Sequence, residues 1–291
     1  MANLKEIRIR IASVNSTMQI TSAMKMVSAA KLKRAQDAIT RMRPYAEKLQ
    51  EILSNVSSTL DGNEGVYSQQ RDVKNVLVVA ITSNRGLCGG FNNNVIKEIR
   101  ANVLNQTKGA QISVLSLGKK AFDVYKKASN HYTGEFGESP FSIFDQLTFD
   151  NSSAVADKIM KSFAAGKFDK VILVYNKFKN AGTQVVVQEQ MLPVVAQSDN
   201  KSTSSVEYIY EPEKTKILED LIPRSLRVQL FKALLDSNAA EHAARMTAMH
   251  KATDNAGELV KELKLNYNKA RQAAITGEIL EIVAGAEALN G

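Results

Sequence analysis

Tryptophan is absent from this 291-residue chain, cysteine occurs once (Cys88) and histidine three times (His131, His242, His250). One thiol can form no intrachain disulfide and no cysteine-based zinc site, and three scattered imidazoles argue against a His-rich catalytic or metal centre. No run of eighteen apolar residues occurs, so no segment reads as a membrane-spanning helix. The opening Met1–Lys5 has neither the apolar core of a signal peptide nor an evident transit segment, and the reading is of an intracellular protein. Proline is missing from the last 68 residues, Arg224–Gly291. That absence leaves one helix free to run to the end.

The pattern there is helical. Leu235, Ala239, His242, Met246, Met249, Thr253, Ala256, Val260, Leu263, Tyr267, Ala270 and Ala274 step by four and three throughout, the heptad period of a coiled coil. Such a helix would be on the order of 100 Å long, too long for an ordinary core, and suggests mechanical or scaffolding work. Beyond it the stripe changes phase to Ile275, Ile279, Ile282, Ala286 and Leu289. The N-terminal segment, residues 3–60, repeats the pattern with Leu4, Ile7, Ile11, Val14 and Met18. After a small-residue patch it resumes at Ala35, Ile39, Met42, Ala46, Leu49, Ile52 and Val56. Pro44 should bend this helix, and Asp61–Gly65 should stop it.

Charge is unevenly spread. The chain carries 38 basic and 30 acidic residues, yet residues 1–50 alone hold ten of the first kind against three of the second. A basic helix suits an acidic partner, whether nucleic acid, anionic lipid or an acidic protein surface; a solvated helix face is the plain alternative.

Between the helices the pattern changes. Val76–Ile81, Ile112–Leu117 and Val171–Tyr175 are short β-branched runs of the kind found in strands buried on both faces. Helical windows lie at 93–106, 119–128 and 152–165, an alternation that predicts a parallel sheet covered on both sides. Residues 183–195 read as a further strand, placed at an edge by Pro193, then a polar loop at 197–205 and a last short strand at 206–212. The expected fold class is α/β: a Rossmann-like domain (74–210) flanked by a long antiparallel two-helix coiled coil made of 1–60 and 213–291, which pack as one unit. The C-terminal helix is the longer, so its tip should overrun its partner and require a sleeve of other chains.

Several motifs within these segments resemble the gamma subunit of F-type, proton-translocating ATP synthases. They are Ile20-Thr21-Ser22-Ala23-Met24-Lys25-Met26-Val27, then Glu241-His242-Ala243-Ala244-Arg245-Met246, and Tyr267-Asn268-Lys269-Ala270-Arg271-Gln272-Ala273-Ala274-Ile275-Thr276-Gly277-Glu278. The glycine-rich stretch Thr82–Asn92 matches the family's turn after the first strand. The resemblance runs from end to end. It implies a non-catalytic rotor shaft that needs no cofactor, turned by the membrane c ring and coupling that rotation to nucleotide cycling in a ring of alpha and beta subunits, for ATP synthesis or hydrolysis. Its partners would be alpha, beta, epsilon and the c ring, with no nucleic acid and with the membrane reached only through the c ring. Its place would be peripheral, at the cytoplasmic face of a bacterial inner membrane.

By motif match, the resemblance assigns beta-subunit catch contacts to Arg271, Gln272, Thr276 and Glu278, with a second point at Met24 and Lys25. Contacts with the c ring and epsilon fall on Tyr208, Tyr210 and Glu211. From spacing alone, Arg271 and Glu278 share one helix face, and Gln272 and Thr276 another. Lys31, Lys33 and Arg34 would meet acidic loops. Two other classes compete. A nucleotide-dependent enzyme would need a phosphate site, but Gly86-Leu87-Cys88-Gly89-Gly90 has neither dinucleotide nor P-loop spacing and reads better as a tight turn. A basic coiled-coil protein binding nucleic acid is the second, though the aromatic-interleaved basic surface usual for single strands is missing.

Overall fold

The computed structural model describes residues 4–57, 66–103, 109–136, 140–194 and 214–290. The chain forms two compact units, Met1–Ser28 with Met246–Gly291, and Ala29–Arg245. Helix α1 (Leu4–Ser57) and the C-terminal helix α5 (Lys214–Asn290) each contribute to both.

In the larger unit, β1 (Asn75–Ile81), β2 (Gln111–Leu117), β3 (Lys170–Phe178) and β4 (Gln184–Leu192) form one sheet in the order β2-β1-β3-β4. The first three strands are parallel, and β4 runs antiparallel to β3 at the edge. Alternation explains the layers. Leu77, Val79 and Ile81 point to one face and Val76, Val78 and Ala80 to the other, and each set is fully buried. A strand buried on both faces must be apolar throughout, as β1 is from Val76 onward.

The second face is covered by α2 (Phe91–Glu98), the π-turn that continues it (Ile99–Val103) and α3 (Lys119–Tyr125). The first face is covered by α4 (Phe149–Ala164) and by Ile222, Leu226, Leu230, Ala233 and Leu234 of α5. α4 starts where Thr148 Oγ1 accepts the Asn151 amide at 3.3 Å, a side-chain cap. After β2 the chain passes so close to Thr82 that a Cβ on Gly118, at φ +137°, would overlap the Thr82 carbonyl oxygen. Only glycine fits.

α1 runs without a break through Pro44, and α5, expected over 213–291, starts at Lys214 and runs on through Pro223. In the larger unit Ala46 and Leu49 of α1 pack on Val228 of α5. The helix expected over 93–106 is met by α2 and the π-turn as far as Val103, and 104–106 lie outside the described residues. The expected stop at Asp61–Gly65, the polar loop at 197–205 and the strand at 206–212 lie outside the described residues.

The smaller unit is an antiparallel helix pair with constant register. Arg8 Nη2 donates to Tyr267 Oη at 2.8 Å, the Thr21 and Thr253 hydroxyls lie 2.8 Å apart, and Lys25 Nζ is 3.3 Å from His250 Nδ1. The residue numbers of each pair total 274 or 275, as two antiparallel helices of equal rise require. The patch after Met18 is not a gap in the seam: Thr21 is half-buried and Ser28 buried, with their hydroxyls donated to the Met18 and Met24 carbonyls. Bonding within the helix is what lets hydroxyls occupy seam positions.

Candidate functional site

The register dictates where α5 loses its partner. Leu4, the first described residue of α1, faces position 271, so the helix beyond has nothing from this chain beside it among the described residues. Burial follows suit. Val260 and Leu263 are buried and Tyr267 is half-buried, whereas apart from the half-buried Gly277 every described residue from Arg271 to Glu287 is exposed. Ile275, Ile279, Leu280, Ile282 and Val283 lie 47–71% exposed on that tip. Five large apolar side chains on one unaccompanied helix make a surface that calls for a partner.

Arg271, Gln272, Thr276 and Glu278 all sit on this tip and all are exposed. Gly277 lies among them with nothing within 4 Å of the Cβ it lacks. Glycine costs about 1 kcal/mol against alanine in a helix, and no atom of the described residues accounts for that cost here. Met24 and Lys25 are half-buried beside the seam, level with His250 and about 30 Å back along the helix. Tyr208, Tyr210 and Glu211 lie outside the described residues.

In the larger unit the glycine-rich turn is tied down by side chains. Asn92 Oδ1 accepts the Ser83 amide at 2.9 Å, its Nδ2 donates to Ser83 Oγ at 2.9 Å and to Cys88 Sγ at 3.1 Å, and Ser83 Oγ donates to the Arg85 carbonyl at 2.6 Å. Cys88 and Phe91 pack on Ala240 of α5. Arg245, buried on the same helix, donates to the Arg85 and Gly86 carbonyls at 3.3 Å each and to Glu241 Oε1 at 2.6 Å. The turn is therefore a docking surface for α5 at the place where other α/β folds take a phosphate. Leu87, at φ +63°, projects from it 64% exposed.

Electrostatics favour packing over chemistry. Burial pushes the Cys88 thiol up and, with the charges of Arg245 and Lys31, pushes His242 down to about 4, leaving it a neutral seam residue at neutral pH. Burial also raises Glu241 despite Arg245, and Asp236 despite its 3.3 Å pair with Arg43. Among the described residues no group of three or more His, Cys, Asp or Glu is placed to hold a metal ion. No described helix is long and apolar enough to cross a membrane.

Sequence reasoning singled out none of the pairs Arg245–Glu241, Arg43–Asp236 and Arg8–Tyr267. The first had a readable signal, a Glu-x-x-x-Arg spacing on a helix. The other two join residues 193 and 259 positions apart, which no local pattern reveals.

The class of fold is an α/β sheet combined in one chain with two long antiparallel helices. A rotor chain of the Euglena gracilis mitochondrial ATP synthase is alike in fold, with a TM-score of 0.65 at 21% identity, over 94% of this chain and 98% of that one. A chain of the Tetrahymena thermophila mitochondrial ATP synthase central stalk and c ring is 26% identical, with a TM-score of 0.57 over 80% of this chain and 99% of that one.

Sequence comparison is more specific. The ATP synthase family model matches residues 3–289. The ATP synthase gamma chains of Flavobacterium johnsoniae and Christiangramia forsetii are 61% and 57% identical to this chain, over the whole length of both partners in each comparison. The chain belongs to the ATP synthase gamma-chain family and is a subunit of the central stalk. That membership leaves the nucleic-acid-binding alternative without support.

Proposed function

We propose that this subunit is the non-catalytic shaft of the motor, with the terminal segments 1–60 and 213–291 acting as one axle and residues 74–210 as its body. In this reading the α5 tip is enclosed by a ring of alpha and beta subunits. The body meets epsilon and the c ring, with Tyr208, Tyr210 and Glu211 among the contacts. Rotation of the c ring turns the shaft, whose unlike faces favour a different state of each beta subunit in turn. A ligand shifts an equilibrium only through unequal contacts with its states, and an asymmetric rod supplies them. The subunit sits at the cytoplasmic face of a bacterial inner membrane and reaches the lipid only through the c ring.

The observation that carries this reading is the apolar tip, exposed beyond the level of Leu4, where α1 begins. Arg271, Gln272, Thr276 and Glu278 form its polar catch, and Met24 and Lys25 a second contact farther along. Lys31, Lys33 and Arg34, exposed on α1, add weak attraction to acidic loops, each exposed pair being worth about 0–1 kcal/mol. The test is Arg271→Ala with Glu278→Ala in the reconstituted enzyme. Assembly or the yield of ATP per proton should fall severalfold, and unchanged proton-driven ATP synthesis excludes the catch.

A further inference from the structure

Thr21 and Thr253 face each other across the smaller unit with two protons for three hydrogen bonds. Their oxygens lie 2.8 Å apart, and each also reaches a carbonyl of its own helix: Thr21 Oγ1 is 3.0 Å from the Met18 oxygen, and Thr253 Oγ1 is 2.8 Å from that of Met249. A hydroxyl carries one proton, so the bond across the seam forms only when one of the two leaves its own carbonyl. Breaking it again loses no hydrogen bond, because the freed proton returns to that carbonyl. The bond joins the helices without holding them.

The residues around it hold them loosely as well. Over Met18–Ser28 of α1 and Met246–Gly257 of α5, no leucine, isoleucine or valine is buried or half-buried. The large apolar side chains covered there are Met18, Met24, Met246 and Met249, unbranched and able to repack at little cost. Met18 has room beside it, since a Cβ on Gly257 would stand 3.8 Å from its sulfur. Farther along the pair the seam is of another kind. Ile11 and Val14 are half-buried and Val260 and Leu263 buried, and any displacement there forfeits apolar burial.

We propose that this stretch is a joint in the helix pair: at the Thr21–Thr253 level α1 and α5 shift past one another, exchanging the cross-seam bond for bonds within each helix, while the branched layers from Ile11 to Val14 stay engaged. Met24 and Lys25 ride on the joint. Their contact with the surrounding ring can therefore follow a partner that changes shape, as methionine-rich surfaces do when they repack. That consequence rests on the reading of Met24 and Lys25 as a ring contact; the joint itself does not.

Two measurements separate the joint from its consequence. In the full-length chain carrying Cys88→Ser, spin labels are placed either by Gln19→Cys with Asn255→Cys, exposed beside the joint, or by Arg10→Cys with Lys264→Cys, exposed beside the branched layers. The distance distribution from pulsed electron resonance should be broader for the first pair. Thr21→Leu with Thr253→Ala sets a large side chain against a small one, and should narrow the first distribution to the width of the second. Thr21→Ser with Thr253→Ser keeps both hydroxyls and should leave it broad. Equal widths for the two pairs with both threonines in place, or a broad distribution that Thr21→Leu with Thr253→Ala leaves unchanged, refute the joint. In the reconstituted enzyme, Thr21→Leu with Thr253→Ala should lower turnover severalfold, and Thr21→Ser with Thr253→Ser should retain it. A narrowed distribution with undiminished turnover upholds the joint and refutes Met24 and Lys25 as a contact that follows the ring.

Discussion

Replacing Arg245 with leucine removes the donor that joins α5 to the glycine-rich turn. The guanidinium is buried, bonds Glu241 at 2.6 Å and reaches two backbone carbonyls at 3.3 Å. Its loss strands a buried carboxylate, a change that costs about 3–5 kcal/mol when one partner of a buried pair is deleted. The carbonyls add up to about 1 kcal/mol each unless water reaches them. Protonation of Glu241 can return part of this, since its pKa is already raised by burial. The expected loss is therefore about 3–5 kcal/mol in urea unfolding of the full-length chain followed by circular dichroism. Adding Glu241→Gln should recover at least about 1.5 kcal/mol, a coupling a double-mutant cycle resolves. The pH dependence has a definite sign. A carboxyl with a raised folded-state pKa contributes stability that is fully present below the ordinary glutamate value of about 4.3 and is lost as pH rises through the raised one. The Arg245→Leu deficit should deepen over that interval, and in the double variant it should not. A loss under about 1 kcal/mol, or strict additivity, refutes the inference that the pair holds the turn.

His242 has the opposite sign: its depressed folded-state pKa of about 4 makes the unfolded chain bind the proton first. Its contribution is present above about pH 6.5 and lost as pH falls through 4; after allowance for partial exposure it amounts to about 1–2 kcal/mol. His242→Gln should flatten that part of the stability profile, and an unchanged profile refutes the assignment. Gly277→Ala should slow hydrogen exchange at the α5 tip of the free chain by up to about fivefold, a gain of about 1 kcal/mol, yet impair assembly with alpha and beta. Normal assembly would show that no partner backbone approaches within a methyl group of that position. Proton-driven synthesis by the Arg271→Ala, Glu278→Ala enzyme completes the set.

The parts of this fold that were legible in the sequence are those governed by local repetition. Val76–Ile81 announces a doubly buried strand because every residue must be apolar, and the heptads of α5 announce a seam because 3.5-residue spacing has no other common cause. The antiparallel direction of β4 was not legible, since an edge strand obeys the same alternation either way. The seam between Met18 and Ala35 looked interrupted because residues such as Thr21 and Ser28 are polar; they are accepted there because each hydroxyl bonds within its own helix. Ile222, Leu226 and Leu230 carry helical spacing, but nothing in it says that their stripe meets a sheet. At the candidate site, Arg271 and Glu278 could be placed on one face by counting. That the tip overruns its partner was legible from the unequal lengths of the two heptad segments; the residue at which exposure starts was not, because it depends on where a helix some 260 positions away begins, which the Arg8–Tyr267 pairing fixes.

That pairing also bears on how the protein is made. The smaller unit joins an early stretch of the chain to a much later one, so α1 up to Ser28 waits unpaired on the ribosome until α5 emerges. Closing so long a loop adds little entropy beyond a short one, since the penalty grows only logarithmically. The hazard is the interval of waiting, in which bare apolar helices stick to one another. Threonine, serine and a lysine stem along that stretch give newborn chains less to aggregate with than leucines would.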